Sequence, residues 1–143
     1  MLVSQILKDK GDIVFTVSPT ETMQAVAAQL HARRVGAVVV IGDEGTVVGI
    51  ISERDIVSAV GKDGPQALEQ TIDCCMTREV IFATLGETVD SLLSRMTDRR
   101  VRHLPVVKDG RLAGIVSIGD LVKWKIAEVA AEADGLKQYI AAG

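Results

Sequence analysis

One heptapeptide pattern occurs twice, as Gly49-Ile50-Ile51-Ser52-Glu53-Arg54-Asp55 and as Gly114-Ile115-Val116-Ser117-Ile118-Gly119-Asp120. In both copies Asp follows Ser after two intervening residues, where an aliphatic run ends. That spacing permits two kinds of chemistry. Ser at an N-cap and Asp at N3 satisfy free N–H groups and suit the helix dipole. The same geometry also suits a ligand. A helix start after a strand holds free N–H groups that bind anions. A carboxylate one turn in can accept two hydrogen bonds from a ribose diol. Taken alone, the pattern leaves both uses open.

The densest positive region is Arg95, Arg99, Arg100, Arg102 and His103. Arg95 and Arg99 stand four apart on a helical pattern and read as a solvated face. Arg102 and His103 differ, because they immediately precede the aliphatic run Leu104-Pro105-Val106-Val107. That places them at the mouth of a sheet edge near the Ser117 helix start. Phosphate is the natural partner of such a group. Cys74 and Cys75 are adjacent and cannot form an unstrained disulfide. A metal site needs more ligands, the histidines being His31 and His103, and adjacent cysteines suit tetrahedral zinc poorly. They read as small buried hydrophobes for at least one, with a redox sensor as the other use.

The elements that must position these residues come from a duplication. Residues 12–41 overlay residues 78–107, pairing Glu21 with Glu87, Arg33-Arg34-Val35 with Arg99-Arg100-Val101, and Val40 with Val106. One residue is lost at the following turn. Gly49, Ser52 and Asp55 then meet Gly114, Ser117 and Asp120. Each copy spells β-α-β-β-α. A short strand, Ile13 to Val17 or Val80 to Ala83, opens it. Ser18-Pro19-Thr20-Glu21 reads as a helix start with Ser18 as N-cap and Glu21 closing a capping box, and Thr84 with Glu87 matches it. Apolar residues at 23, 26, 27 and 30, and at 89, 92, 93 and 96, mark one buried helix face. Runs Ala37–Ile41 and Val47–Ile51, or Leu104–Val107 and Leu112–Val116, flank a Gly-containing turn and read as hairpins. Ser52 and Ser117 cap the second helices. A copy of roughly 60 residues is marginal alone, so the two are expected to pack sheet against sheet. The boundaries read as a first domain over 1–62, a linker over 63–72, a second domain over 73–125 and a C-terminal helical extension over 126–143.

Composition narrows the classes. The chain has 143 residues, 16 Lys+Arg against 19 Asp+Glu, and a net charge of −3. Its aromatics are Phe15, Phe82, Trp124 and Tyr139. An acidic chain with few rings for base stacking is not expected to take nucleic acid as its main partner. No run approaches the roughly 20 apolar residues of a membrane span. No secretory pattern is visible at Met1-Leu2-Val3-Ser4-Gln5, and a reducing cytoplasmic setting is expected. An enzyme has little support, for no nucleophile–base pair, metal spacing or P-loop stands out.

These features together resemble a tandem pair of cystathionine-β-synthase (CBS) domains, often called a Bateman module. The matching segments are Val17-Ser18-Pro19, Arg34 to Val40 and Gly49 to Asp55, then Met76-Thr77-Arg78, Arg102 to Val107 and Gly114 to Asp120. The resemblance covers about residues 3–125 and, by the expectation that no catalytic domain is attached, is to the small stand-alone bacterial members. It implies an α+β fold of two β-α-β-β-α repeats packed sheet to sheet as an intramolecular pseudo-two-fold pair, with two clefts. It also implies adenosyl ligands such as AMP, ADP, ATP, NAD or S-adenosylmethionine. By that resemblance one cleft uses Ser117 and Asp120, with Arg102 and His103 for phosphate and Gly11, Asp12, Ile13, Val35, Gly36 and Ala37 as the adenine wall. The other uses Ser52, Arg54 and Asp55, with Thr77, Arg78 and Val101. The clefts are unequal, because Gly36-Ala37 stand where the second copy has Arg102-His103, and Gly119 where the first has Arg54.

No cofactor is required on this reading; an adenine nucleotide is a regulatory ligand and an unidentified regulated protein its responder. The alternative is a structural or interaction module with vestigial clefts. Val122, Ile126, Val129, Ala133, Leu136 and Ile140 form a heptad-like stripe on a helix from about 118 to 141. It serves as core cover or as a dimer contact, and a homodimer is the expectation.

Overall fold

The computed structural model describes residues 1–11 and 14–142. In chain order its elements are α1 (Val3–Lys10), β1 (Thr16–Val17), α2 (Met23–Arg33), β2 (Ala37–Ile41), β3 (Val47–Ser52), α3 (Glu53–Asp63), β4 (Ala83–Thr84), α4 (Val89–Arg99), β5 (His103–Lys108), β6 (Arg111–Ser117) and α5 (Ile118–Ala142). Short 3-10 turns over Pro65–Glu69 and Ile72–Cys74 lie between α3 and β4. The class is α+β, as the repeat pattern implies.

The chain forms two compact units, Phe15–Val80 and Met1–Val14 with Ile81–Gly143. Each carries a three-stranded sheet, ordered β1-β2-β3 in one and β4-β5-β6 in the other. The first strand pairs parallel with the second, and the second antiparallel with the third. Val17, Met23, Val26, Leu30, Val38, Val40 and Ile51 pack as the core of the first repeat. Val89, Leu92, Met96, Leu104, Val106, Val116 and Leu121 do so in the second. The helix periodicity therefore reports the buried face correctly.

The starts of the first helices need correction. Both begin four residues later than the Ser18 and Thr84 caps imply. Glu21 does fold back, its Oε2 accepting from the Ser18 N–H at 2.7 Å, but it closes a turn ahead of the helix. Thr22 is the actual N-cap of α2, its Oγ1 accepting from Ala25 N–H at 3.1 Å. Glu87 and Thr88 repeat this arrangement for Thr84 and Ser91. Ser and Thr at these places compete for one role, and the residue nearest the apolar stripe takes it. The opening strands are shorter than read, and Ile13, like Asp12, lies outside the described residues.

Each unit also takes a segment from ahead of its repeat. Val3 N–H donates to Glu87 O and Val89 N–H to Met1 O, so the start of the chain docks on the second repeat. Ile72 N–H donates to Glu21 O and Met23 N–H to Gln70 O, so the segment after α3 docks on the first. Residues 63–72, read as a linker, thus hold the buried Ala67 and Ile72 of the first repeat's unit. Val3, Ile6 and Leu7 of α1 are buried in the core of the other.

Among the described residues no helix is long and apolar enough to cross a membrane. The long α5 buries Leu121 near its start, and Trp124 packs against the same core. Ile126, Val129, Leu136, Tyr139 and Ile140 are exposed. The stripe is therefore not core cover within this chain.

Candidate functional site

Both Ser–x–x–Asp motifs form reciprocal caps at strand-to-helix junctions. Ser52 N–H donates to Asp55 Oδ2 at 2.9 Å, and Asp55 N–H returns to Ser52 Oγ at 3.3 Å. The Ser52 hydroxyl also reaches Asp55 Oδ2 at 3.1 Å. In the second unit Ser117 N–H donates to Asp120 Oδ2 at 2.9 Å and Asp120 N–H to Ser117 Oγ at 3.1 Å. A carboxylate has about four acceptor positions. Capping therefore does not exhaust its capacity to accept from a diol.

The residues ahead of each junction are drawn in by the sheet. Ala37 pairs with Ser52, and Glu53 N–H donates to Gly36 O at 2.9 Å. His103 pairs with Ser117, and Ile118 N–H donates to Arg102 O at 2.8 Å. So Arg102, His103, Ser117 and Asp120 gather at one end of the second repeat's sheet, with the Arg102 side chain exposed. Val35, Gly36 and Ala37 gather with Ser52 in the first unit. Asp55 lines a cavity of ≈ 350 Å³ there, together with Lys62, Gln70, Cys74 and Cys75. Thr77 is bound edge to edge with Ile50 through two 2.9 Å backbone hydrogen bonds. Arg78 donates from Nη2 to the Asp73 carbonyl at 2.9 Å, and Arg54 is exposed. Val101 follows the left-handed Arg100 that ends α4, its N–H donating to Met96 O at 3.1 Å. Gly11 ends α1 at a positive φ of 98°, its N–H donating to Leu7 O at 2.8 Å. Asp12, assigned to the adenine wall with Ile13, is outside the described residues as well.

One other feature departs from expectation, and Cys75 packs against the first core. Arg95 is not simply a solvated residue: it pairs with Glu87 and donates to Phe82 O at 3.0 Å, so it fastens the turn ahead of α4. Cys74 is exposed and donates its S–H to Thr71 O at 3.0 Å. Cys75 is half-buried, with Sγ 3.6 Å from Met23 Sδ. Burial first, then the neighbouring Cys74, Asp55 and Asp73, push the Cys75 thiol up to about 11.

Sequence reasoning missed Lys10. Its Nζ lies 2.6 Å from Asp120 Oδ2 and 2.9 Å from Ile115 O. Burial works most strongly on the Asp120 carboxyl and opposes its ionisation. Hydrogen bonds from Lys10 and the Ser117 N–H outweigh burial and hold the carboxyl below the usual carboxylate range. Nothing in the spacing of the repeats points to Lys10, because it stands outside them.

Two copies of one β-α-β-β-α unit, each ending its hairpin at a Ser–x–x–Asp-capped helix, define a duplicated domain. A CBS-domain family model matches residues 7–62 and 71–127, and the chain belongs to that family. A CBS-domain containing protein from Agrobacterium tumefaciens is 45% identical, with a TM-score of 0.83 covering 85% of this chain and 91% of that one. The CBS domain pair of protein MJ0100, solved with 5′-methylthioadenosine and S-adenosyl-L-methionine, is 28% identical at a TM-score of 0.79, covering 90% and 98%. A CBS domain protein from Pyrobaculum aerophilum complexed with AMP is 28% identical at 0.74, covering 84% and 89%.

Proposed function

We propose that this chain is a non-catalytic regulatory module of the cytoplasm. It binds adenine nucleotides of the AMP, ADP, ATP or NAD class and signals their occupancy to a partner protein, working as a homodimer. The observation that carries this reading is the Ser–x–x–Asp cap built twice, with Arg102 and His103 beside one copy. Similar proteins solved with AMP, or with methylthioadenosine and S-adenosylmethionine, support the adenosyl class. In this scheme Asp120 and Asp55 accept from ribose hydroxyls. The helix N–H groups at Ser117 and Ser52 suit phosphate. Arg102 adds charge to one site only, so that site is the better suited to ligands with more phosphates.

Asp120→Asn tests the reading. Asn preserves the size and much of the capping capacity while removing the charge. Charge-assisted bonds contribute about 1.5–3 kcal/mol, so binding should weaken roughly 10- to 150-fold in calorimetric titration against an adenine nucleotide panel. A folded variant that binds every nucleotide as tightly as the parent would return the motif to a helix cap. The chain would then be a structural module.

A further inference from the structure

The two aspartates are held differently. Asp55 receives the backbone N–H and hydroxyl of its own Ser52. Asp120 receives the Ser117 N–H and also the ammonium of Lys10. Lys10 is the last residue of α1, and its Nζ also donates to Ile115 O, within the same repeated motif. One ammonium thus ties the end of α1 to both the strand and the helix of the Gly114–Asp120 junction. The pair is part-exposed, with side-chain exposures of 38% for Lys10 and 27% for Asp120.

Among the described residues Asp55 has no such ion pair. Leu7 lies against Gly114 as Met76 lies against Gly49. Leu7 belongs to the helix α1 that carries Lys10, whereas Met76 lies in a non-helical segment after the 3-10 turn over Ile72–Cys74.

We propose that Lys10 is a specificity-determining residue of the Asp120 site: an internal counter-ion that holds the ribose-binding carboxylate and must yield it to the diol of a nucleoside. The inference rests on the ribose role proposed for Asp120. Hydroxyls replacing an ammonium on Asp120 break the ion pair without replacing its charge, so the pair subtracts from affinity for a neutral nucleoside. The displaced Lys10 releases the end of α1 next to Gly11. Occupancy is thereby coupled to the helix that begins the chain, at one site and not at the other.

The experiment titrates adenosine, which carries no phosphate charge, into the full chain carrying Asp55→Asn, so that the Asp120 site reads alone. Lys10→Met keeps the apolar stem and removes the ammonium. A part-exposed ion pair is weak, so its loss should tighten adenosine binding about two- to five-fold. Added salt screens the pair. It should tighten adenosine binding to the Lys10 protein and leave Lys10→Met unmoved. Hydrogen exchange supplies a ligand-free readout. The Gly11 N–H, bonded to Leu7 O, should exchange faster in Lys10→Met, and adenosine should produce the same change in the Lys10 protein. Equal or weaker adenosine binding by Lys10→Met overturns the counter-ion role, as does unchanged exchange at Gly11. Faster exchange with no adenosine bound by either protein keeps the tie to α1 and overturns the ribose role of Asp120.

Discussion

The glycine that opens each motif should be far less replaceable in the first copy than in the second. A Cβ at Gly49 would stand 2.8 Å from Met76 Sδ and 2.9 Å from the Thr77 carbonyl oxygen. That oxygen is fixed, because it accepts from Ile50 N–H at 2.9 Å while Thr77 N–H donates back to Ile50 O. Backbone must move, and the two hydrogen bonds are strained with it. At Gly114 the atoms nearest a Cβ are all of the Leu7 side chain, with Cδ2 at 2.7 Å and Cδ1 at 2.9 Å. Those are side-chain ends. A rotamer change there costs about 0.5–1.5 kcal/mol, against about 1–3 kcal/mol for overpacking with backbone shifts. Alanine also stiffens the unfolded chain, which offsets about 0.4–1 kcal/mol at either position. Gly49→Ala should therefore lose about 1–2 kcal/mol and Gly114→Ala less than about 1 kcal/mol. Urea unfolding followed by circular dichroism measures both, and melting should drop by about 3–4 °C per kcal/mol. Leu7→Ala combined with Gly114→Ala should show a favourable coupling, because the smaller side chain removes the clash. A Gly49→Ala protein as stable as the parent, or a larger loss at Gly114, would refute the packing argument.

Other outcomes follow from the same geometry. Cys74 should be alkylated by iodoacetamide well before Cys75 at pH 8, since the Cys75 thiol is pushed up to about 11 and stays protonated; mass spectrometry of the digested chain reads the order. Glu87 is held below its ordinary value chiefly by its hydrogen bond to Arg95. Its folded-state value is the lower one, so its stabilisation is complete above about pH 4.3, the unfolded value, and is lost as pH falls through the folded value. The gap in urea midpoint between the parent and Glu87→Gln should thus shrink from pH 6 to pH 3, and a constant gap would contradict the ion pair. Leu136 is 60% exposed on α5. Under the proposed homodimer, Leu136→Asp should shift sedimentation at micromolar concentration toward monomer without changing the melting of the monomer.

The elements were legible where one strong signal fixed them. The apolar spacing of α2 and α4 survives intact as their buried faces, and hairpins β2–β3 and β5–β6 run where the aliphatic runs flank Gly45 and Gly110. Boundaries failed where several capping residues stood together. Ser18, Thr20 and Thr22 are all chemically able to cap, and only the tertiary position of the buried Met23 selects Thr22. The docking of α1 on the second repeat was not readable at all. A chain cut at the repeat boundary assigns Val3, Ile6 and Leu7 to the first repeat. Their partners Leu92, Leu104 and Val116 are far along the sequence, and periodicity carries no information about which core a helix joins.

The same limit governs the site. Capping and ligand binding ask for the same residues at a helix start, so Ser–x–x–Asp in isolation decides nothing. What separates the two uses is what else is drawn to the carboxylate. A pure cap needs only the Ser N–H and the returning backbone bond, and the Asp55 junction supplies both from within one motif. Asp120 has in addition a lysine more than a hundred residues away in sequence. A distant cation is not needed to start a helix. Lys10 fastens the end of α1 to the Asp120 junction, and its proposed displacement by a ribose rests on that tie. The copy with the extra cation is also the copy with Arg102 and His103 beside it. Asp55 instead lines a cavity with Lys62, Cys74 and Cys75, and the Lys10 tie sets the Asp120 junction apart from it.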